Sequence, residues 1–170
     1  MKFNNKSIRW QNWDYSSTGA YFITICTKFK ERYFGESIKP PIYPEEDNLK
    51  SYLIPSPVAE IAYKYWKEIP EHYDFVVPDL ILIMPDHVHG ILFFEKEIKQ
   101  TWERTKFGPQ KNNLPDVIRA YKGAVTKWAN ANNCPFRWQS RYYDRVIRNE
   151  EEFRRIKAYI MKNPIRWDAS

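Results

Sequence analysis

The sequence predicts an α+β fold: a ferredoxin-like antiparallel sheet of split βαβ pattern, with helices on one face and one further helix added at the C-terminus. Three observations predict it. Apolar residues switch between strand and helix spacing in the order strand, helix, strand, strand, helix, strand, helix. Two apolar runs, "FVVPDLILIM" and "HVHGILFF", are separated only by Pro85-Asp86, the pattern of a hairpin. The 170 residues, 43% hydrophobic and 28% charged, suit one domain, 1–170, with a real core.

The first strand is "YFITICTK", rich in β-branched and aromatic residues. The Pro-rich stretch "SIKPPIYPEEDNLKSYLIPSP" reads as a loop, and residues 36–56 as an insertion. A helix follows, with Ser56 as N-cap, Pro57 in its first turn, an apolar face of Val58, Ile61, Ala62, Tyr65 and Ile69, and Pro70 as its end. After the hairpin, "KEIKQTWERTKFGPQKNN" is charged and reads as a connection. Leu114, Val117, Ile118, Tyr121, Val125 and Trp128 then mark the second helix. "RYYDRVIR" is a short last strand. The third helix runs from about Glu150 to Lys162, with Asn149 and Glu152 as a capping-box-like pair, three glutamates in the first turn, and Pro164 as its stop.

Composition limits what such a domain can do. No apolar run has membrane-spanning length, "MKFNNKSIRW" lacks the apolar core of a signal peptide, and two cysteines make no disulfide framework. A reduced, cytoplasmic protein is the expectation. Of the net charge of +6, five positive charges lie between residues 137 and 166, where nine Lys or Arg face four acids. Such a stretch suits a polyanion, nucleic acid first, or equally a solvated helix surface.

The hairpin raises a sharper question, because His87 and His89 sit inside its second, apolar strand. Residues two apart on a strand share a face, so the two imidazoles project side by side and can hold one divalent cation. Other histidine chemistries fail on the letters. A histidine triad needs a third histidine where Ile91 stands. A structural zinc site needs four ligands, while Cys26, Cys134 and His72 are scattered. No Gly-x-Ser-x-Gly elbow, phosphate-cradling glycine loop or His-Glu-x-x-His is present. An open site completed by a distant residue remains. Tyr159 and Asn163, four apart on one helical face, are candidates. Taken singly, Tyr159 better suits the border of a packed face with its hydroxyl in water, and Asn163 better suits a helix C-cap before proline.

The strings "IMPDHVHGILFF", "FRWQSRYYDRVIRNEEEF" and "YIMKNP", in this order, resemble the REP-associated tyrosine transposases, a family of single-tyrosine transposases with a His-hydrophobic-His element. The resemblance spans roughly Tyr21 to Arg166. It implies a ferredoxin-like fold with the nucleophile, Tyr159, on the added C-terminal helix. His87, His89 and Asn163 would hold Mg²⁺ or Mn²⁺. The implied reaction is cleavage and rejoining of single-stranded DNA at hairpin or palindromic elements through a 5′-phosphotyrosine. Arg145, Arg148, Arg154, Arg155 and Lys157 flank the nucleophile and are the expected phosphate contacts, and the N-terminal "NNKSIRWQNWDY" is a further candidate for DNA contact. Tyr121, Tyr142 and Tyr143 lack a polar residue four positions on. A non-catalytic, domesticated hairpin binder is the alternative, and a replication initiator or relaxase a third. Monomer and homodimer are both open. The sequence departs from the family in two respects: Asp86 precedes the first histidine, where Asn or Glu is more usual, and the insertion at residues 36–56 has no assigned function.

Overall fold

The computed structural model describes residues 19–39, 44, 47–95 and 112–167. The N-terminal stretch and the charged connection after the hairpin lie outside the described residues. Among the described residues, six strands and four α-helices follow in chain order: β1 (Gly19–Cys26), β2 (Gly35–Ser37), β3 (Leu53–Pro55), α1 (Pro57–Lys67), α2 (Ile69–His72), β4 (Val76–Met84), β5 (His87–Phe94), α3 (Leu114–Ala131), β6 (Tyr143–Ile147) and α4 (Glu150–Arg166).

The main sheet is antiparallel, in the order β4-β5-β1-β6. This is the ferredoxin-like arrangement that the element order predicts. Alternation along β1 and β5 divides the sheet into two unlike faces. Tyr21, Ile23 and Ile25, with Val88, Leu92 and Phe94, are buried on the face that α1 and α3 cover. Gly90 lies on that face because the Trp66 indole of α1 crosses β5 there; a Cβ on Gly90 would sit 2.2 Å from the ring. Tyr121 of α3 packs edge-on against Trp66 and donates its hydroxyl to the Ala62 carbonyl at 3.0 Å, which identifies it as a packing residue. The opposite face carries Phe22, Thr24, His87, His89 and Phe93, and α4 lies over it: Phe153 packs on Phe93 and Tyr159 on Phe22. Helix α4 thus closes a three-layer arrangement.

Both expected N-caps are present. Ser56 Oγ accepts from the Ala59 N–H at 3.2 Å, and Asn149 Oδ1 from the Glu152 N–H at 2.8 Å. The Glu152 carboxylate accepts from the Arg148 N–H, one residue before the cap, and pairs with Arg145.

Four expectations need correction. First, α1 ends at Lys67, and Pro70 stands in the opening turn of α2 rather than ending a helix, since proline's missing N–H costs nothing there. Second, the buried face of α1 is Val58, Ala59, Ala62 and Trp66; Ile61 and Tyr65 are only half-buried, because the indole's bulk sets the helix rotation. Third, α4 continues through Pro164 to Arg166. Two residues before the end of the helix, the proline removes a bond from a last turn that is ending anyway, while its ring is buried. Fourth, the Pro-rich stretch is more than a loop. Its ends pair as the two-stranded β2–β3 ribbon, anchored by buried Phe34, Leu49, Tyr52 and Leu53. The Tyr52 hydroxyl accepts the Ile83 N–H at 3.2 Å, occupying a donor on the free edge of β4. No helix among the described residues is long and apolar enough to cross a membrane.

Candidate metal and nucleophile site

The site lies on the α4 face of the sheet, where β5 leaves the Pro85-Asp86 turn. His87 and His89 are 8% and 5% exposed, and their Nε2 atoms approach to 3.1 Å. Two ligands at metal–nitrogen distances of about 2.1 Å and roughly a right angle lie about 3 Å apart, so the pair already has the spacing of neighbouring ligands on one cation.

The outer nitrogens are taken. His87 Nδ1 hydrogen-bonds the Asp86 carboxylate, and His89 Nδ1 lies 2.8 Å from Thr24 Oγ1, across the ladder on β1. An ionised carboxylate only accepts, so His87 carries its proton on Nδ1, and Nε2 keeps a lone pair. The Thr24 hydroxyl both donates and accepts. It can therefore serve His89 in either tautomer: donating to a bare Nδ1 while His89 Nε2–H meets His87, or accepting from Nδ1–H when both Nε2 atoms face a cation.

Burial and neighbouring charge keep His89 neutral. Burial first, then the charges of His87 and Lys30, pull His89 down to about 3, against the smaller opposing pulls of Asp86 and Asn163. Burial pushes the Asp86 carboxyl up, but its hydrogen bond to His87, with the charges of His87 and Lys30, outweighs burial and holds it below the usual carboxylate range.

Helix α4 brings the other two residues. Its buried stripe, Glu152, Ile156, Ile160 and Pro164, recurs every four residues and seats the helix on the sheet. Tyr159 and Asn163 each stand one position before a stripe residue. The Tyr159 ring is 5.9 Å from the His89 ring and 6.3 Å from Phe22, yet the residue is 49% exposed. Asn163 Nδ2 donates to the Tyr159 carbonyl at 3.0 Å, four residues back within the helix, and the side chain is near enough to His89 to exert a small upward pull on that imidazole. His87, His89, Asn163 and Tyr159 are thus brought together from a strand and a helix about 70 residues apart in the chain.

The expected phosphate-contacting residues are more divided. Arg155 and Arg148 are exposed. Arg145 is paired with Glu152 and Arg154 with Glu150, while Lys157 lies 3.6 Å from Asp79. Thr24 and Asp86 were given no role from sequence. A signal existed for each: Thr24 is a polar residue in an apolar strand, and Asp86 immediately precedes His87. Trp167, 5.9 Å from the His87 ring, also borders the site.

Among the described residues no group of three or more His, Cys, Asp and Glu side chains could hold a metal ion. The donor set here is two imidazoles whose Nε2 atoms face each other, with a carboxamide on the helix above them. That set fits a cation bound openly, with positions left for oxygen ligands.

A sheet of this order, bearing paired histidines beneath a helical tyrosine, has the fold of a DNA transposase. The solved structure of a REP-associated tyrosine transposase bound to a REP hairpin matches it with a TM-score of 0.58 over 92% of this chain and 73% of that one, at 14% identity. An uncharacterized protein of Haemophilus influenzae is 34% identical over 97% of this chain and 91% of its own length. A second Haemophilus influenzae protein, described as a "Putative REP-associated tyrosine transposase", is 26% identical over 90% of this chain and 74% of its own length. No family model matches. The chain thus resembles the REP-associated tyrosine transposases in sequence and shares their fold.

Proposed function

We propose that this protein is a metal-dependent transesterase that cleaves and rejoins single-stranded DNA at hairpin or palindromic elements through a 5′-phosphotyrosine intermediate. The observation that carries this reading is the convergence of His87, His89 and Asn163 beside an exposed tyrosine, Tyr159. The relative whose solved structure holds a REP hairpin supports the substrate class.

In this reading Mg²⁺ or Mn²⁺, held by His87, His89 and Asn163, would offset the negative charge of the scissile phosphate. Tyr159 is the nucleophile: its phenol loses a proton to solvent, its oxygen bonds to phosphorus, and the bond from phosphorus to the 3′-oxygen breaks. That oxygen leaves as a 3′-hydroxyl after taking a proton from water. The phosphodiester energy stays in the tyrosyl ester, so a second 3′-hydroxyl reverses the step without ATP. Phe22 and His89 restrain the Tyr159 ring, which reduces the motion lost when the phosphate arrives. Neutral donors His87, His89 and Asn163 leave the cation's full charge for the substrate. Arg148 and Arg155 are exposed candidates for phosphate contact in this reading, with Arg145, Arg154 and Lys157 reaching DNA by exchanging their carboxylate partners. The protein acts in the cytoplasm.

The test uses a single strand carrying the inverted repeats that flank the gene, incubated with protein and Mn²⁺ and resolved on a denaturing gel. A slow-migrating covalent species is expected from the native chain. EDTA, His87→Ala or His89→Ala abolishes it. An adduct that persists at native level in both histidine variants and in EDTA rules the metal reading out.

A further inference from the structure

The turn after β1 presents an aromatic ring to solvent on a backbone that ordinarily avoids such a residue. Phe29 is 83% exposed. Phe29 and Lys30 both adopt left-handed backbone, with φ of 57° and 58°, a region that side chains bearing a Cβ seldom occupy.

The surroundings impose this shape. The Thr27 N–H donates to the Asp86 carbonyl at 2.9 Å, and the single proton of its hydroxyl is shared between the Glu31 carbonyl at 2.7 Å and the Asp86 carbonyl at 3.0 Å. The Lys28 N–H donates to the Arg137 carbonyl at 2.9 Å, and the Phe34 N–H to the Pro85 carbonyl at 3.1 Å. The turn is therefore bolted to the Pro85-Asp86 turn, from which His87 emerges. A ring held out rigidly next to a reaction centre suggests a use for it.

The neighbours say what kind of use. Lys28 Nζ lies 5.0 Å from the Phe29 ring centre. Lys30 Nζ reaches back to 3.3 Å from Cys26 Sγ and 4.0 Å from Asp86 Oδ2. The Arg32 guanidinium lies 5.9 Å from the ring centre of Trp167, the residue that borders His87. Glu31 and Asp86 are the acids nearby. A flat exposed ring flanked by three cations does not resemble an apolar protein-docking patch; it resembles the combination that binds unpaired nucleotides, a stacking surface beside phosphate-seeking charges.

We propose that Phe29 is a stacking platform for an unpaired base of the DNA strand held at the site, with Lys28, Lys30 and Arg32 directed at the neighbouring phosphates. This rests on the single-strand reading above and adds where the strand runs: past the β1 turn, on the His87 side of the centre.

The test measures binding by fluorescence anisotropy in EDTA, in a Tyr159→Phe background that cannot react. Two labelled hairpins from the flanking repeats are compared, one with its single-stranded extension and one trimmed flush. Phe29→Ala is expected to weaken binding of the extended hairpin by about 5- to 150-fold, the range for loss of one stacked base, and to leave the flush hairpin unchanged. Phe29→Trp is expected to restore affinity, which a merely structural role for the turn does not explain. Native affinity of Phe29→Ala for the extended hairpin overturns the proposal. So does a change in oligomeric state on gel filtration without a change in DNA affinity, which assigns the ring to a second copy of the chain. The two readings fail separately: a native chain that binds the extension through Phe29 but forms no covalent adduct ends the transesterase reading alone.

Discussion

Thr24 and Asp86 govern what the two imidazoles offer. Each engages an Nδ1 atom, so each fixes which ring nitrogen faces the site. Thr24→Val keeps the shape and removes the hydroxyl. We expect Mn²⁺ affinity, measured by titration calorimetry, to fall about 10- to 100-fold, and Thr24→Ser to recover most of it. Unchanged affinity in the valine variant would mean that the ring is oriented by packing against Phe22 alone. His89 also sets a pH dependence. Its ordinary value is 6.5 and its folded value about 3. Between those limits the unfolded chain binds a proton that the folded chain refuses, so stability falls as pH falls through that window and is constant in this respect above it. Urea unfolding of the metal-free protein at pH about 7 and about 5 measures the loss, and His89→Asn is expected to flatten the slope. An equally steep slope in that variant would place the proton elsewhere.

At the scale of elements, the "HVHG" sequence combines two requirements in four residues. The histidines need one face of β5, and Gly90 on the other face makes room for Trp66. Gly90→Ala forces the indole or the strand to shift, and we expect a loss of about 1–3 kcal/mol in thermal or denaturant unfolding. Asn149→Ala, which removes the cap of α4, is expected to cost about 1 kcal/mol and to lower adduct yield as well, since that helix carries Tyr159 and Asn163. A variant that lost stability while keeping full reactivity would show the helix end to be irrelevant to the site. The caps at Ser56 and Asn149 were legible because a cap is a local chemical pattern. The rotation of α1 was not, because Trp66 finds its place only against Gly90 and Tyr121, residues far along the chain. Pro164 misled for a related reason: its effect depends on how much helix follows it, and only two residues do.

For the whole molecule, the strand order follows from periodicity and the hairpin, because split βαβ units admit few ways to close an antiparallel sheet. The meeting of strand and helix that builds the site was not readable from spacing alone. His89 and Tyr159 are 70 positions apart, and nothing local in either segment records the other; it was the resemblance that paired them. The ribbon of β2 and β3 was hidden by its prolines, although Phe34, Leu49, Tyr52 and Leu53 formed a small apolar set that required a seat. Thr24 and Asp86 became meaningful only when the ladder paired β1 with β5 and the turn bent back toward His87.

All of this converges on one phenol. The most direct measurement is mass-spectrometric mapping of peptides from protein incubated with its flanking single strand and Mn²⁺, after nuclease trimming of the DNA. The account predicts a nucleotide esterified to the peptide containing Tyr159, absent from Tyr159→Phe. A nucleotide on Tyr143, the other exposed tyrosine packed against Phe22, or covalent DNA undiminished in Tyr159→Phe, would contradict it.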